Sequence, residues 1–119
     1  MAGTSLSSSG STSVTLTVTP RTNLGTGVEI AVTDAAVVSL TPPVGANVAE
    51  ITILDSTQAI IMRTDGVDPT NAPILGHTVQ YNIELESVDE IAGFRAIAFV
   101  GDAVRLYVEY KNDPNASNN

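Results

Sequence analysis

The chain repeatedly alternates apolar and polar side chains with a period of two, and no long stretch shows the period of a helix. Residues 103–110 are the clearest case: Val104, Leu106, Val108 and Tyr110 alternate with Arg105, Tyr107 and Glu109. Successive side chains of an extended strand point to opposite faces, so each such stretch predicts a strand with one buried face. The same reading applies to residues 13–19, where Val14, Leu16 and Val18 oppose Thr15, Thr17 and Thr19. It applies to 28–32, to 48–54 with Glu50 and Thr52 on the wet side, and to 78–85. In the last, Val79, Tyr81, Ile83 and Leu85 oppose Thr78, Gln80, Asn82 and Glu84. Residues 35–40 and 94–100 predict two further strands. The apolar run Ala59-Ile60-Ile61-Met62 within 58–63 predicts one buried on both faces or placed centrally.

Turn chemistry separates these stretches. Pro20, Thr33-Asp34, Pro42-Pro43 and Asp55-Ser56-Thr57 interrupt the ladders, and Gly101-Asp102 predicts a tight hairpin. Residues 86–93 lack the period of two and predict a single helical turn, capped by Ser87 with Glu90 three residues on. Short strands with turns at this spacing predict an all-β fold: a sandwich or jelly-roll-like barrel of about eight short antiparallel strands. Three parts are expected: a Ser/Thr-rich N-terminal arm over 1–13, a β-sandwich domain over 14–111 and a polar tail over 112–119. Apart from Met1, the arm has Leu6 as its one large apolar residue, so it is expected to be mobile in the free protein. The alternative is an arm that becomes ordered on a neighbouring subunit. Asn115-Ala116-Ser117 fits a glycosylation sequon and is read as chance, since Met-Ala-Gly-Thr-Ser-Leu resembles no secretory signal.

Charge and composition exclude several functions. Five basic residues against thirteen acidic give a net charge of −8, which argues against nucleic acid as a partner. No run is long enough to span a membrane. The chain has no Cys, so thiol redox chemistry and thiolate metal sites are excluded. Three Tyr, two Phe and no Trp leave little from which to build an aromatic binding platform.

The candidate functional stretch is residues 63–76, Arg-Thr-Asp-Gly-Val-Asp-Pro-Thr-Asn-Ala-Pro-Ile-Leu-Gly, read as a long ordered loop between two strands. Asp65-Gly66 and Asp68-Pro69 are strong turn signals. Arg63, Asp65, Gly66, Asp68, Pro69 and Thr70 are the loop and interface candidates. Arg63 is expected to pair with Asp65 or another loop carboxylate. Asp65-Gly66-Val67-Asp68 resembles half of a calcium loop, with Asp65, Asp68 and Asn71 as the conceivable ligands. The terminal Glu of such a loop is missing, and the favoured expectation is that both Asp side chains bond their own turn amides. His77, the one histidine, is expected to open a strand and bond to the loop. Glu84, Glu86, Asp89 and Glu90 read as a solvated surface. No nucleophile elbow is present, so the expectation is a protein without catalytic, cofactor-binding or metal site, and not an enzyme.

From residue 47 onward the features come in a particular order. Glu50-Ile51-Thr52-Ile53 is followed by Ile61-Met62-Arg63-Thr64-Asp65-Gly66, then Asp68-Pro69-Thr70 and Gly76-His77. A strand ending Glu84-Leu85-Glu86 comes next, then Phe94-Arg95-Ala96-Ile97 and residues 103–110. This order resembles a class of small β-structured virion proteins of tailed bacteriophages, over residues 47–110. The resemblance implies a capsid cement or decoration protein on the outer surface of the virion head, made in the host bacterial cytoplasm. It implies the major capsid protein as partner and a homo-oligomer, a trimer before a dimer. The alternative is a head-fibre or tail-associated recognition module that binds a host-surface glycan through the 63–76 loop.

Overall fold

The computed structural model describes residues 20–55 and 57–115. The expected arm over 1–13, the expected strand over 13–19 and most of the sequon lie outside these residues. The described chain forms eleven strands and one short helix, in two main antiparallel sheets and a small hairpin. The strands are β1 (Thr22–Asn23), β2 (Val28–Thr33), β3 (Val38–Ser39), β4 (Val48–Ile53), β5 (Ile60–Arg63), β6 (Thr70–Asn71), β7 (Ile74–Leu75), β8 (His77–Val79), β9 (Ile83–Leu85), β10 (Arg95–Ala98) and β11 (Ala103–Asn112). The helix, α1, is Val88–Gly93. Among the described residues no helix is long and apolar enough to cross a membrane.

In the first sheet β11 is the hub. It pairs with β4 on one side, and with β1 and β2, end to end, on the other; β9 extends the sheet beyond β4. The second sheet runs β3, β10, β5, β8. Val104, Leu106, Val108 and Tyr110 of β11 are buried while their neighbours are not, as the alternation predicts. They meet Ile60, Met62, Ala96, Ala98 and Val79 of the second sheet, with Phe94 and Ile91 closing one end of the core. The all-β sandwich is therefore the observed fold.

The chain changes sheet at almost every connection, and this accounts for the departures from expectation. The stretch 78–85 is not one strand: β8 pairs with β5 in the second sheet, and β9 with β4 in the first. The crossing leaves Tyr81 75% exposed, although it is in phase with Val79 and Leu85. Gly101-Asp102 makes a turn, with Asp102 N–H donating to Phe99 O at 2.9 Å, but not a hairpin. It is a corner, because β10 and β11 belong to opposite sheets. The predicted strand over 35–40 shrinks to β3, and β1 forms between Pro20 and the strand that begins at Val28, where the sequence, with Asn23, Gly25 and Gly27, reads as a loop. The expected helical turn is present: the Ser87 hydroxyl accepts from Glu90 N–H at 3.1 Å, and Glu90 Oε1 accepts from Glu86 N–H at 3.0 Å. β11 runs to Asn112, where the sequence predicts the tail to begin. Beyond it, the buried Asn47 side chain bonds both main-chain groups of Asp113 at 2.8 Å.

Phe94 is fully buried between α1 and β10. Phe94→Ala is expected to lower stability by about 3–5 kcal/mol, the range for an aromatic ring removed from a close-packed core. Denaturant unfolding with an unchanged slope is the measurement that checks it.

Candidate functional site

The second sheet is buried on both faces at β5. Antiparallel register places Ile60 opposite Ala98 and Met62 opposite Ala96, facing the first sheet. Ile61 opposite Ile97, and Arg63 opposite Arg95, fall by alternation on the outer face. Ile61 is 0% exposed and Ile97 7%. Residues 64–76 provide the cover. The chain folds back over the outer face of the sheet and carries the β6–β7 hairpin, which the sequence reading takes as plain loop. Pro69 is buried beneath it. A Cβ at Gly76 would stand 2.8 Å from Ile61 Cγ2, so only glycine allows this close approach at its φ of +142°.

Polar bonds fix the cover at each end. Arg63 and Asp65 form the expected pair, with Arg63 Nε donating to Asp65 Oδ1 at 3.0 Å and a second bond between Arg63 Nη2 and Asp65 Oδ2. Asp65 Oδ1 also accepts from Val67 N–H at 3.1 Å, the turn bond expected of it. Arg63 beside Asp65 holds that carboxyl well below the usual carboxylate range. Gly66, at φ +79°, donates its N–H to Gly93 O at 2.9 Å and so ties the loop to the end of α1. Asp68 faces Arg95, with Nε to Oδ1 at 3.8 Å. Thr70 Oγ1 donates to Pro73 O at 2.5 Å across a cis Ala72–Pro73 peptide. Asn71 Nδ2 donates to Asp34 O at 2.8 Å and to Ala98 O at 2.9 Å.

Five of the six candidate residues therefore lie in this one cover, and Arg63, at the end of β5, braces it. Arg63 and Arg95 sit directly opposite each other on neighbouring strands, an arrangement that like charges disfavour. Asp65 and Asp68 of the loop supply the countercharges. The conceivable calcium ligands have other partners: Asp65 holds Arg63, Asp68 faces Arg95, and Asn71 donates to two carbonyls. Among the described residues no cluster of His, Asp and Glu is arranged to hold a metal ion. His77 opens β8 as expected, and its side chain is exposed. A groove of about 530 Å³ lies beside the cover, lined by Met62, Arg63, Thr64, Asp65, Gly76 and His77.

A second cluster was not legible in the sequence. Register aligns Glu109, Glu50 and Glu84 in one row across β11, β4 and β9, on the outer face of the first sheet. Arg21, just before β1, lies over this row. It reaches Glu50 at 3.0 Å, Glu84 at 2.5 Å, Glu86 at 3.3 Å and Asp113 at 2.9 Å, and Lys111 adds a bond to Glu50 at 2.9 Å. The acidic surface read from Glu84, Glu86, Asp89 and Glu90 is thus divided. The first two belong to the Arg21 clamp, and the last two sit in the first turn of α1. Bonding to Arg21 holds Glu84 and Asp113 below the usual range. Glu86 goes the other way, pushed up by its hydrogen bond and charge repulsion with Glu84. Arg105 and Asp55 form a further pair at 3.0 Å.

Two predictions come from these clusters. Asn71→Ala leaves two carbonyls without their donor, so a loss of about 1–3 kcal/mol is expected. Faster proteolysis within residues 64–76 than elsewhere checks that the cover has loosened. The opposite shifts of Glu84 and Glu86 give opposite signs. A depressed carboxylate stabilises the fold above its unfolded pKa and loses that contribution as pH falls through the folded value. A raised one contributes only at low pH and opposes folding above its folded value. At pH 7, Glu84→Gln is therefore expected to lower the melting temperature and Glu86→Gln to raise it. The difference should shrink as pH falls below the ordinary carboxylate range near about pH 4. Thermal melts from pH 7 down to that range are the check.

Comparison with family models, with curated proteins and with solved structures finds no match for this chain.

Proposed function

We propose that this protein is a structural virion protein of a tailed bacteriophage, a cement or decoration protein that stabilises the capsid by bridging subunits of the major capsid protein. The observation that carries the reading is physical continuity between the two segments behind the resemblance. The Arg63–Thr70 portion and Phe94-Arg95-Ala96-Ile97 are distant in the chain, yet they form one unit. Arg63 faces Arg95, Ile61 faces Ile97, Gly66 bonds Gly93, and Asp68 faces Arg95. The shared pattern thus corresponds to a stiff, braced surface element, which suits a mechanical clasp.

Charge supports the nature of the partner. All five basic residues lie within 3.8 Å of a carboxylate of the same chain. Among the described residues, Asp34, Asp89, Glu90, Asp102 and Glu109 form no salt bridge with a Lys or Arg. Such a molecule attracts a cationic surface, and charges of this kind govern approach and orientation more than affinity. On a shell, several braced contacts acting together resist the opening of joints between subunits. The place of action is the outer surface of the virion, after synthesis in the host bacterial cytoplasm. A trimer is the favoured oligomer.

The groove beside the cover favours a second reading, a head-fibre or tail-associated module that binds a host-surface glycan. Its lining offers the Arg63 and Asp65 side chains, Thr64 and His77 as hydrogen-bonding groups. Mixing the purified protein with expanded, undecorated capsids and with host cells separates the two. Saturable coating of capsids, weakened by salt and by Asp68→Lys, is the expected result. Coating of cells alone would transfer the function to the groove.

A further inference from the structure

We propose that the β6–β7 hairpin is a docking knob for another protein, one whose surface carries an apolar slot bordered by Lys and Arg side chains. Ala72, Pro73, Ile74 and Leu75 are consecutive, apolar and all exposed, Ile74 by 49% and Leu75 by 55%. A single exposed apolar side chain is ordinary, but a contiguous run of them marks an interaction surface. Val100, 66% exposed, belongs to the same corner of the molecule. Asn71, the register partner of Ile74, donates to Ala98 O and to Asp34 O, and Asp34 Oδ2 accepts from Gly101 N–H at 2.8 Å. Packing of the cover does not account for the run. Pro69 is buried and Asn71 is bonded, whereas Ile74 and Leu75 keep about half of their surface in water. The Asn71 bonds, with Thr70 Oγ1 donating to Pro73 O, hold the tip in one shape. A knob fixed in this way loses little ordering entropy when it inserts.

Charge selects the occupant. Asp34 and Asp102 stand at the Asn71–Ile74 end of the knob, and Asp68 precedes its first strand. Among the described residues neither Asp34 nor Asp102 forms a salt bridge. Cations around an apolar slot would meet these three carboxylates while the slot takes Ile74 and Leu75. A second copy of this chain does not offer them. Its five basic residues are each held by a carboxylate of their own chain, and the same acids would face one another across a two-fold axis. A lipid surface fits no better, because the carboxylates beside the knob would have to leave water with it. In a protein slot the apolar side chains carry the affinity, and the surrounding charges set approach and orientation.

The inference rests on the proposed function only in taking the shell as the partner, so its first test uses no shell. The probe is an amphipathic helical peptide of Leu and Lys, added to the full chain while backbone amide shifts are followed. Shift changes are expected at residues 71–75, at Asp34 and at 100–102, and they should weaken with salt. Ile74→Thr combined with Leu75→Thr keeps β-branched strand formers, and it is expected to bind the peptide at least about ten-fold more weakly with an unchanged melting temperature. A matching peptide of Leu and Glu is expected not to bind. Changes centred elsewhere overturn the inference, as does equal binding of the Glu peptide or an undiminished affinity in the double variant. The shift map of the unsubstituted chain decides the matter even if that variant fails to fold. A sedimenting mass that falls in the double variant would make a second copy the occupant and overturn it too. Capsids coated equally by the double variant and the unsubstituted chain would sink this inference and leave the shell reading standing. A peptide bound at the hairpin, with capsids left bare, would sink the shell reading alone.

Discussion

Ile61 and Ile97 face away from the interior between the two sheets and must still be kept from water. Burying one such side chain is worth about 1.5–3 kcal/mol, so an uncovered pair would be a substantial loss for a domain of this size. The order of the 64–76 segment follows from that requirement. Pro69 and the close approach of Gly76 supply the cover, and Asn71, Gly66 and the Arg63–Asp65 pair hold its position. The segment that carries most of the candidate residues is thus also a third layer of the core. Its shape is set before any partner arrives, which lowers the ordering entropy lost on contact.

Electrostatics follows a similar logic. Sheet register forces like charges together twice: Glu109, Glu50 and Glu84 across one face, Arg63 and Arg95 across the other. In each case a residue from outside the row neutralises the conflict. Arg21 does so from the segment before β1, and Asp65 and Asp68 do so from the cover. Few basic residues are available, and the fold uses each of them internally. The excess negative charge is what remains for the surroundings to meet.

Much of the strand content was legible because period-two burial is a local property. β11 follows it residue by residue and β4 does so from Ala49 to Ile53, and the both-face burial of β5 was announced by Ile60-Ile61-Met62. The cap at Ser87 was legible for the same reason, since Ser and Glu three apart bond within one turn. Connections between sheets were not legible. The alternation through Val79, Tyr81 and Ile83 stays in phase while the chain leaves one sheet for the other, so nothing local marks the crossing. The Arg63–Asp65 pair could be read because its members are two residues apart. The Arg21 clamp could not, because Arg21 is 92 residues from Asp113 and only the assembled ladder brings them together.

That last contact also fixes where the domain can be joined to other things. Arg21 Nε lies 2.9 Å from Asp113 Oδ2, and Asn47 pins the same end through the main chain of Asp113. Entry and exit of the described domain are thus side by side at one corner. A short linker could span them, so the backbone order could be permuted with new ends opened at the Val44 turn, whose side chain is fully in solvent. Whatever is joined just before Arg21 or just after Asp113 leaves the domain from the same corner, away from the braced face of the second sheet.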